Sequence, residues 1–569
     1  MSRQPLRGDH RRRRGLLLMV CLFLLLASGR MDSGDANAEL AGSMNLVETG
    51  SLGTNTPYAD KLIQSLFVHA PNGRYYEAHD PGNALLMTPA AFGGVISSAG
   101  LSHVLGSENW SHTAQVRMLT TKTLAALIET AFSAVGCFYL FLLFGLFYKP
   151  RTALTLTGLF VFASLYTAYF RSAWDVLPAC NSVIVLLYFS ARLVLAPRVR
   201  ASEAFTVALW FGIACMFRFS LAPFLAIGVV ILLWGIRKRT SASAILVGLC
   251  TAIAMLIPIL IFNAIRTGSS LRSASTLPQF QDQTSLTGSL REGMFGLLLS
   301  PNRGLLVFSP FLLLLVLLPW YWKLMPAGVK ALLAAYLPST FLYYLMISKL
   351  HNWGAAGWGP RYLIPVLPIL FLGAGAIAHR LWSESRIRRF LLASLCFIAF
   401  LLSLPTLLVN HSNASLQYPD AFDGTASYPI QQIAVWKNLL AGFQGQTVQA
   451  RPNLGADEMS RLAIVFPDLL IVRAYKVLAG RSKLSAQVLL VIYLSLLGCA
   501  AYLLWSSLAG FHSLDPLQDD ANDHVVRDVR RQAGALPIPR YAPGDKRGAG
   551  RGTQGVINYV GRKSNTAWR

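Results

Sequence analysis

Long apolar runs recur along the whole chain and alternate with short polar segments. A helix that crosses a bilayer needs about 20 predominantly apolar residues, and most of these runs approach that length. The predicted spans are 15–29, 122–147, 153–170, 176–195, 203–217, 221–235, 243–264, 304–320, 331–348, 362–378, 390–409 and 486–508. The pattern predicts an all-α polytopic membrane protein with about twelve transmembrane helices. Because 203–217 and 221–235 are short and only "RFS" separates them, we expect thin, broken or re-entrant helices there.

Composition agrees with a membrane protein. Hydrophobic residues make up 54% of the 569 residues and charged residues only 13%, whereas a soluble chain carries about 25% charged residues. The net charge is +24, but the basic residues lie between apolar runs, so a lipid bilayer is the predicted partner and nucleic acid is not. All 7 cysteines lie within apolar runs and no CxxC pair occurs, so they predict neither disulfides nor a metal site.

The basic residues also orient the chain, because loops rich in lysine and arginine stay in the cytoplasm. They lie in alternate loops, at Lys149, Arg151, Arg198, Arg200, Arg237, Lys238, Arg239, Lys323, Lys330, Arg380, Arg386, Arg388 and Arg389. We therefore expect a multi-pass protein of the inner (plasma) membrane with cytoplasmic N- and C-termini. Residues 1–14 form a basic cytoplasmic N-terminus and 15–29 a signal anchor. Cleavage near Ser28 and Gly29, as in a signal peptide, is the alternative.

The segments outside the spans are unequal in length. The first external loop is predicted at 30–121 and carries amphipathic stretches. A second external segment is predicted at about 265–303. A third, 410–485, contains the amphipathic stretches "QQIAVWKNLLAGF" and "RLAIVFPDLLIVRAYKVL"; 462–479 can dip into the membrane, but Pro467, Asp468 and Arg473 argue against a full span. The last helix follows at 486–508. The tail, 511–569, is poor in large apolar residues and is predicted to be a disordered cytoplasmic tail.

Acidic residues concentrate in the first external loop. If the stretch after the first span is helical, Asp32, Asp35 and Glu39 share one face, and the like charges are expected to raise the proton affinity of Asp35. Such a cluster serves as a general base, a metal site or plain solvated surface. His79 and Asp80 follow in the same loop, directly before a Pro-Gly turn.

Several arginines lie at predicted outer helix ends, where the orientation rule disfavours them. They are Arg171, beside Asp175 in a short turn, Arg266 and Arg303, at the two ends of the external segment 265–303, and Arg361, at the outer start of the span 362–378. Each can be explained by a side chain that reaches the membrane surface. Their convergence on one face predicts instead an anionic partner, such as a phosphate near the outer leaflet.

Four segments of the chain resemble bacterial GT-C glycosyltransferases, the superfamily that includes protein O-mannosyltransferases and the aminoarabinose transferase of lipid A. The segments are "SGDANAELAGSMNLVETGSLG", "GRYYEAHDPGNALLMTP", "SPNRGLLVFSPFLLL" and "WGAAGWGPRYLIPVLPIL". The resemblance covers about residues 15–410, and the last two segments are its most specific part. It implies a GT-C type fold in which 15–409 forms the transmembrane catalytic domain.

The resemblance also implies a polyprenyl-phosphate-linked sugar donor, used on the external face with inversion. The acceptor is a hydroxyl of a glycan, lipid or protein. Asp35 occupies the family's "GD" position and is the expected base, with Asp32 as competitor. The expected phosphate ligands are Arg361, Tyr362, Arg303 and Arg266. The expected substrate-binding residues are His79, Asp80, Arg171, Asp175 and Trp358. We expect no cofactor and no required metal.

Two departures from the family pattern leave the donor sugar open. The family's opening glycines become "GAAG" here, and an acidic Glu of the family appears as Asp175. Two other functions compete with glycosyl transfer from this donor: a polytopic transporter or lipid-linked glycan flippase, and an external glycan ligase or polymerase. Transporters usually carry internal repeats and ionisable residues near the midplane. This sequence shows no repeat, and only Glu129 lies plainly inside a span.

Overall fold

The computed structural model describes most of the chain outside the C-terminal tail. The described residues are 5–31, 33–55, 66–105, 110–274, 277–280, 285–354, 357–411, 429–444, 466–479 and 482–509. They belong to one compact unit, Met1–Gln518. The predicted disordered tail, 511–569, lies outside the described residues, and so does Asp32.

Helices dominate the first half of the chain. They are α1 (Pro5–Leu26), α2 (Gly34–Thr49), α3 (Gly82–Leu105), α4 (Trp110–Gly145), α5 (Pro150–Phe162), α6 (Val176–Leu195), α7 (Ala201–Phe217), α8 (Ala222–Ile236) and α9 (Ala242–Thr267). Serine side chains cap several of them: Ser241 accepts a hydrogen bond from the N–H of Ala244 at the start of α9, and Ser33 caps α2 in the same way.

The second half of the described chain is also helical. Its helices are α10 (Leu290–Leu299), α11 (Leu305–Phe308), α12 (Leu318–Tyr321), α13 (Ala327–Ser348), α14 (Leu367–Glu384), α15 (Arg386–Leu408), α16 (Ile430–Phe443), α17 (Leu470–Ala479) and α18 (Lys483–Ala509). A 3₁₀ helix, Arg361–Val366, leads directly into α14. α16 and α17 fall on the two stretches of 410–485 that were predicted to be amphipathic.

The all-α polytopic class is confirmed. Among the described residues, eight helices are long and apolar enough to cross a membrane, and two shorter apolar helices, Ala201–Phe217 and Pro310–Leu324, accompany them. α6 and α14 are almost wholly buried at the centre, whereas α9 and α18 expose most of their surface. The described helices thus account for fewer full-length spans than the twelve that the apolar runs predicted.

One predicted span is broken and two neighbouring predicted spans stay separate, for local reasons. The run 304–320 becomes α11, a 3₁₀ helix from Pro310 to Leu317, and α12, because proline cannot continue the hydrogen-bonding pattern of a helix. The runs 203–217 and 221–235 form separate helices, α7 and α8. Between them, Arg218 has an extended backbone, with φ −154°.

One short hairpin interrupts the helices of the first external loop. β1 (Phe67–His69) pairs antiparallel with β2 (Tyr75–Glu77), with Val68 opposite Tyr76. The turn between them contains "PNG", a sequence typical of tight turns. The hairpin leads into the residues that precede α3.

Two of the basic segments are hydrogen-bonded to neighbouring loops. The guanidinium of Arg239, after α8, donates to the carbonyls of Val194 and Ala196 at the end of α6. Arg380 in α14 donates to the carbonyl of Leu324, before α13. These contacts join loops that the charge pattern assigned to the cytoplasm.

The predicted orientation has a direct test in single exposed cysteines. In a cysteine-free background, we expect cysteines at Asn72 and Ser270 to react with an impermeant maleimide from outside intact cells. Cysteines at Lys238 and Arg386 should react only after permeabilisation. All four positions are exposed. The opposite labelling pattern would reverse the orientation.

Candidate functional site

Asp35 lies in the first turn of α2, where the helix dipole favours a carboxylate. Its Oδ2 lies 2.9 Å from Nη2 of Arg361, and its Oδ1 lies 3.7 Å from Nε2 of His79. The side chains of Asp35 and Arg361 are only 14% and 11% exposed. The expected base and the expected phosphate ligand therefore form one partly buried ion pair.

One expectation about Asp35 is wrong, and one stays a prediction. α2 begins at Gly34, after its cap Ser33, and carries Asp35 and Glu39; Asp32 lies outside the described residues, so its place on the same face stays a prediction. The pKa of Asp35 is not raised. Burial opposes its ionisation, but the charges of Arg361, His79 and Arg218 outweigh burial and hold the pKa below its ordinary value.

The other carboxyls of the first external loop differ from Asp35. Glu39 accepts a hydrogen bond from Asn83 at 3.0 Å, and both carboxyl oxygens of Glu77 are buried without a hydrogen-bond partner. Burial, reinforced for Glu39 by neighbouring carboxylates, raises the pKa of Glu39 and Glu77 well above its ordinary value. Burial thus shifts the pKa of Glu39 and Glu77 in the opposite direction to that of Asp35.

Arg361 begins the 3₁₀ helix that leads into α14. Its guanidinium lies 5.8 Å from the ring centroid of Trp174 and 5.4 Å from that of Tyr362, within the range of cation–π attraction. Its buried Nε has no hydrogen-bond partner. Arg361 is thus enclosed by an acid and two aromatic rings. A side chain that reaches for the membrane surface would instead be exposed at its charged end.

A second ion pair lies next to the first. Nη1 of Arg218 lies 3.5 Å from Oδ2 of Asp175, and its guanidinium lies 4.9 Å from the ring centroid of Tyr362. Two arginines, Arg218 and Arg361, therefore lie within cation–π distance of the Tyr362 ring. Sequence reasoning missed Arg218; its only signal was an arginine between two short apolar runs.

Arg266 holds the loop that carries His79 and Asp80. Its guanidinium is fully buried and donates to the carbonyls of Glu77 and His79 and to Oδ1 of Asp80 at 3.3 Å. Asp80 Oδ2 accepts in turn from the backbone N–H of Phe219 at 2.7 Å. These contacts give Arg266 and Asp80 a positioning role, and their contact with substrate stays a prediction.

Arg303 contacts the turn that precedes Arg361, and Trp358 belongs to that turn. Arg303 is fully buried and donates to the carbonyl of Gly357; burial lowers the pKa of its guanidinium to about 10. The Trp358 ring packs against Phe308, with centroids 5.0 Å apart, and is 4% exposed. Both support the turn, and their direct contact with substrate stays a prediction.

Arg171 belongs to a separate buried cluster. It pairs with Asp468 at 3.3 Å, and Arg30 and Arg473 pair with the same carboxylate at 3.5 and 2.6 Å. Burial opposes ionisation of Asp468, but the three guanidinium groups lower its pKa. This cluster ties the segment after 410 to the turn between α5 and α6. Arg171 thus positions the turn that carries Asp175.

Three side chains of the site have the chemistry of metal ligands. One ligand atom from each of Asp35, His79 and Asp175 lies within 4.8 Å of the others. Carboxylate and imidazole groups are ligands that divalent transition metals accept. Arg361 and Arg218 already balance the two carboxylates, so the absence of a required metal stays the prediction.

The 3₁₀ helix that begins at Arg361 also forms part of the wall of an apolar cavity of about 760 Å³. Leu363 and Val366, on the same 3₁₀ helix as Arg361, form part of its wall, together with apolar side chains of 298–318 and 333–344. Its lining is almost entirely apolar. The charged site and an apolar cavity thus share one structural element.

No family model and no curated protein match the chain. Two solved structures of ArnT from Cupriavidus metallidurans are similar to it. The structure bound to undecaprenyl phosphate is 12% identical, with a TM-score of 0.42 over 75% of this chain and 78% of that chain. The apo structure is 12% identical, with a TM-score of 0.44 over 74% of each chain. ArnT is the aminoarabinose transferase of lipid A, a member of the superfamily that the sequence segments resemble.

Proposed function

We propose that the chain is a membrane glycosyltransferase that moves a sugar from a polyprenyl-phosphate donor to an acceptor hydroxyl at the external face. The Asp35–Arg361 pair carries this proposal, because it joins a carboxylate to a phosphate-binding group at predicted outer helix ends. Glycosyl transfer needs both a proton acceptor and a stabiliser of the leaving phosphate.

In the proposed reaction, the acceptor oxygen attacks the anomeric carbon of the sugar. The new carbon–oxygen bond forms as the bond to the phosphate breaks, and the lipid phosphate leaves with the electron pair. Asp35 takes the proton of the attacking hydroxyl. Attack opposite to the leaving phosphate inverts the anomeric configuration.

Arg361 is proposed to hold the phosphate as negative charge grows on its bridging oxygen. A guanidinium presents a planar fork that matches phosphate oxygens. Its unpartnered Nε leaves a donor for such a ligand, and Arg218 brings a second positive charge next to the same tyrosine. Arg361 also keeps Asp35 ionised, as a base must be before the proton transfer.

The apolar cavity is proposed to receive the polyprenyl chain. A lipid whose phosphate lies at Arg361 must place its chain along nearby apolar surface, and Leu363 and Val366 begin that surface within the next two turns of the backbone. The position of the cavity therefore supports a lipid-linked donor over a water-soluble sugar nucleotide.

Label transfer tests the proposal. Membranes that contain the protein are incubated with a panel of radiolabelled polyprenyl-phosphate sugars, and the label is followed into an acceptor fraction. We expect transfer from one or a few donors, and none from the corresponding sugar nucleotides in washed membranes. Transfer that requires a sugar nucleotide and no lipid-linked donor would contradict the proposal.

A further inference from the structure

Gln431 reaches the turn before Arg361 from a distant part of the chain. It lies at the start of α16, in the segment 410–485, and is 1% exposed. Its Oε1 accepts from the N–H of Gly359 at 3.1 Å, and its Nε2 donates to the carbonyl of Gly357 at 3.0 Å. Its own backbone N–H donates to Oδ1 of Asn302 at 3.2 Å. The side-chain amide thus joins both glycines of the turn.

The turn that Gln431 joins has an unusual backbone. Gly357 has φ +116° and Gly359 has φ +58°, conformations that side chains other than glycine rarely adopt. A Cβ at Gly357 would approach Cδ of Arg361 to 3.3 Å. The carbonyl of Gly359 accepts from the N–H of Arg361 at 3.0 Å. The shape of this turn therefore sets where the Arg361 side chain begins.

We propose that Gln431 is a positioning residue for Arg361, and that the start of α16 therefore supports the active site. The inference rests on the proposed function, because it concerns the arginine assigned to the donor phosphate. Gln431 fixes the N–H of Gly359 and the carbonyl of Gly357, and Gly359 fixes the N–H of Arg361. Hydrogen-bond donors stabilise the charge that develops in a transition state most strongly when the fold holds them in position before the reaction.

Gln431→Leu removes both amide contacts and keeps an apolar side chain of similar size. We expect donor KM to rise and kcat/KM to fall by about tenfold, close to the loss in Arg361→Lys, because Gln431 acts through Arg361 and a displacement of about 1 Å can cost up to 10²-fold. Gln432→Leu is the matched control, because Gln432 is the next residue, is also buried, and has no hydrogen-bond partner for either side-chain amide atom. The control should keep wild-type kinetics.

A double-mutant cycle separates positioning from general destabilisation. If Gln431 acts through Arg361, Gln431→Leu should cost little more in an Arg361→Lys background than Arg361→Lys costs alone. Full additivity of the two losses would overturn the inference.

Gln431→Glu is a second variant, for use if the leucine variant does not fold. It keeps the side-chain oxygen that accepts from the N–H of Gly359, so donor KM should rise less than in Gln431→Leu. Wild-type donor KM in either folded variant would overturn the inference while the proposed function stands. If the wild-type protein transfers no sugar, both fail.

Discussion

Asp35→Asn is expected to lower turnover by about 10²-fold or more, because general base catalysis is typically worth 10²–10⁴-fold. Asparagine keeps the size of the side chain and a polar contact with Arg361, 2.9 Å away, but cannot accept the proton. Donor affinity should therefore remain close to that of the wild-type protein. The measurement is steady-state transfer by purified variants, with donor binding measured separately.

Glu48→Gln is the control for Asp35→Asn. Glu48 lies on the same helix, its side chain is 43% exposed, and it pairs with Arg117 away from Arg361. The control should keep wild-type turnover. If Asp35→Asn keeps turnover and Asp175→Asn loses it, the base is Asp175. Loss in Asp32→Asn alone would instead assign the base to Asp32. If none of the three variants is slower, the proposed mechanism is wrong.

Arg361→Lys is expected to weaken use of the donor by about tenfold or more, because a hydrogen bond to a charged group is worth about 1.5–3 kcal/mol. Lysine keeps the charge but loses the planar guanidinium fork. That fork contacts the Asp35 carboxylate and has the geometry to bind a phosphate at the same time. The loss should appear mainly as a rise in donor KM. Kinetics with varied donor and saturating acceptor measure it.

Arg388→Lys is the control for Arg361→Lys. Arg388 is exposed, pairs with Glu384 four residues earlier, and lies near the predicted cytoplasmic end of α15. The same change there should leave donor KM unaltered. Wild-type kinetics in Arg361→Lys, with expression near that of the control, would return Arg361 to the role of an anchor at the membrane surface.

Much of the fold follows from apolar periodicity. The predicted span 176–195 has the same bounds as α6, and the predicted break near "RFS" separates α7 from α8. Hydropathy does not predict the division of 304–320, because those residues are apolar throughout and the prolines decide the local hydrogen bonding. Hydropathy also gives no signal for the hairpin, which depends on pairing between neighbouring strands.

The candidate site was predictable where chemistry stands out in the sequence. An arginine at an outer helix end is unusual, so Arg361 was identified without the structure, and Asp35 was identified from the resemblance. The direction of the pKa shift of Asp35 was not predictable, because it depends on Arg361, His79 and Arg218, which folding brings beside it. Gln431 was missed for the same reason: a glutamine in an amphipathic helix looks like solvated surface until its two glycine partners are known.

Product analysis with purified protein tests the central claim most directly. The protein, reconstituted in bilayers, is given a polyprenyl-phosphate donor with separate labels on the sugar and the lipid phosphate, and an acceptor fraction. The account predicts that the sugar label joins the acceptor while an equal amount of polyprenyl phosphate is released, and that Asp35→Asn suppresses both. Recovery of the donor intact but moved to the other leaflet would contradict the account and identify a flippase.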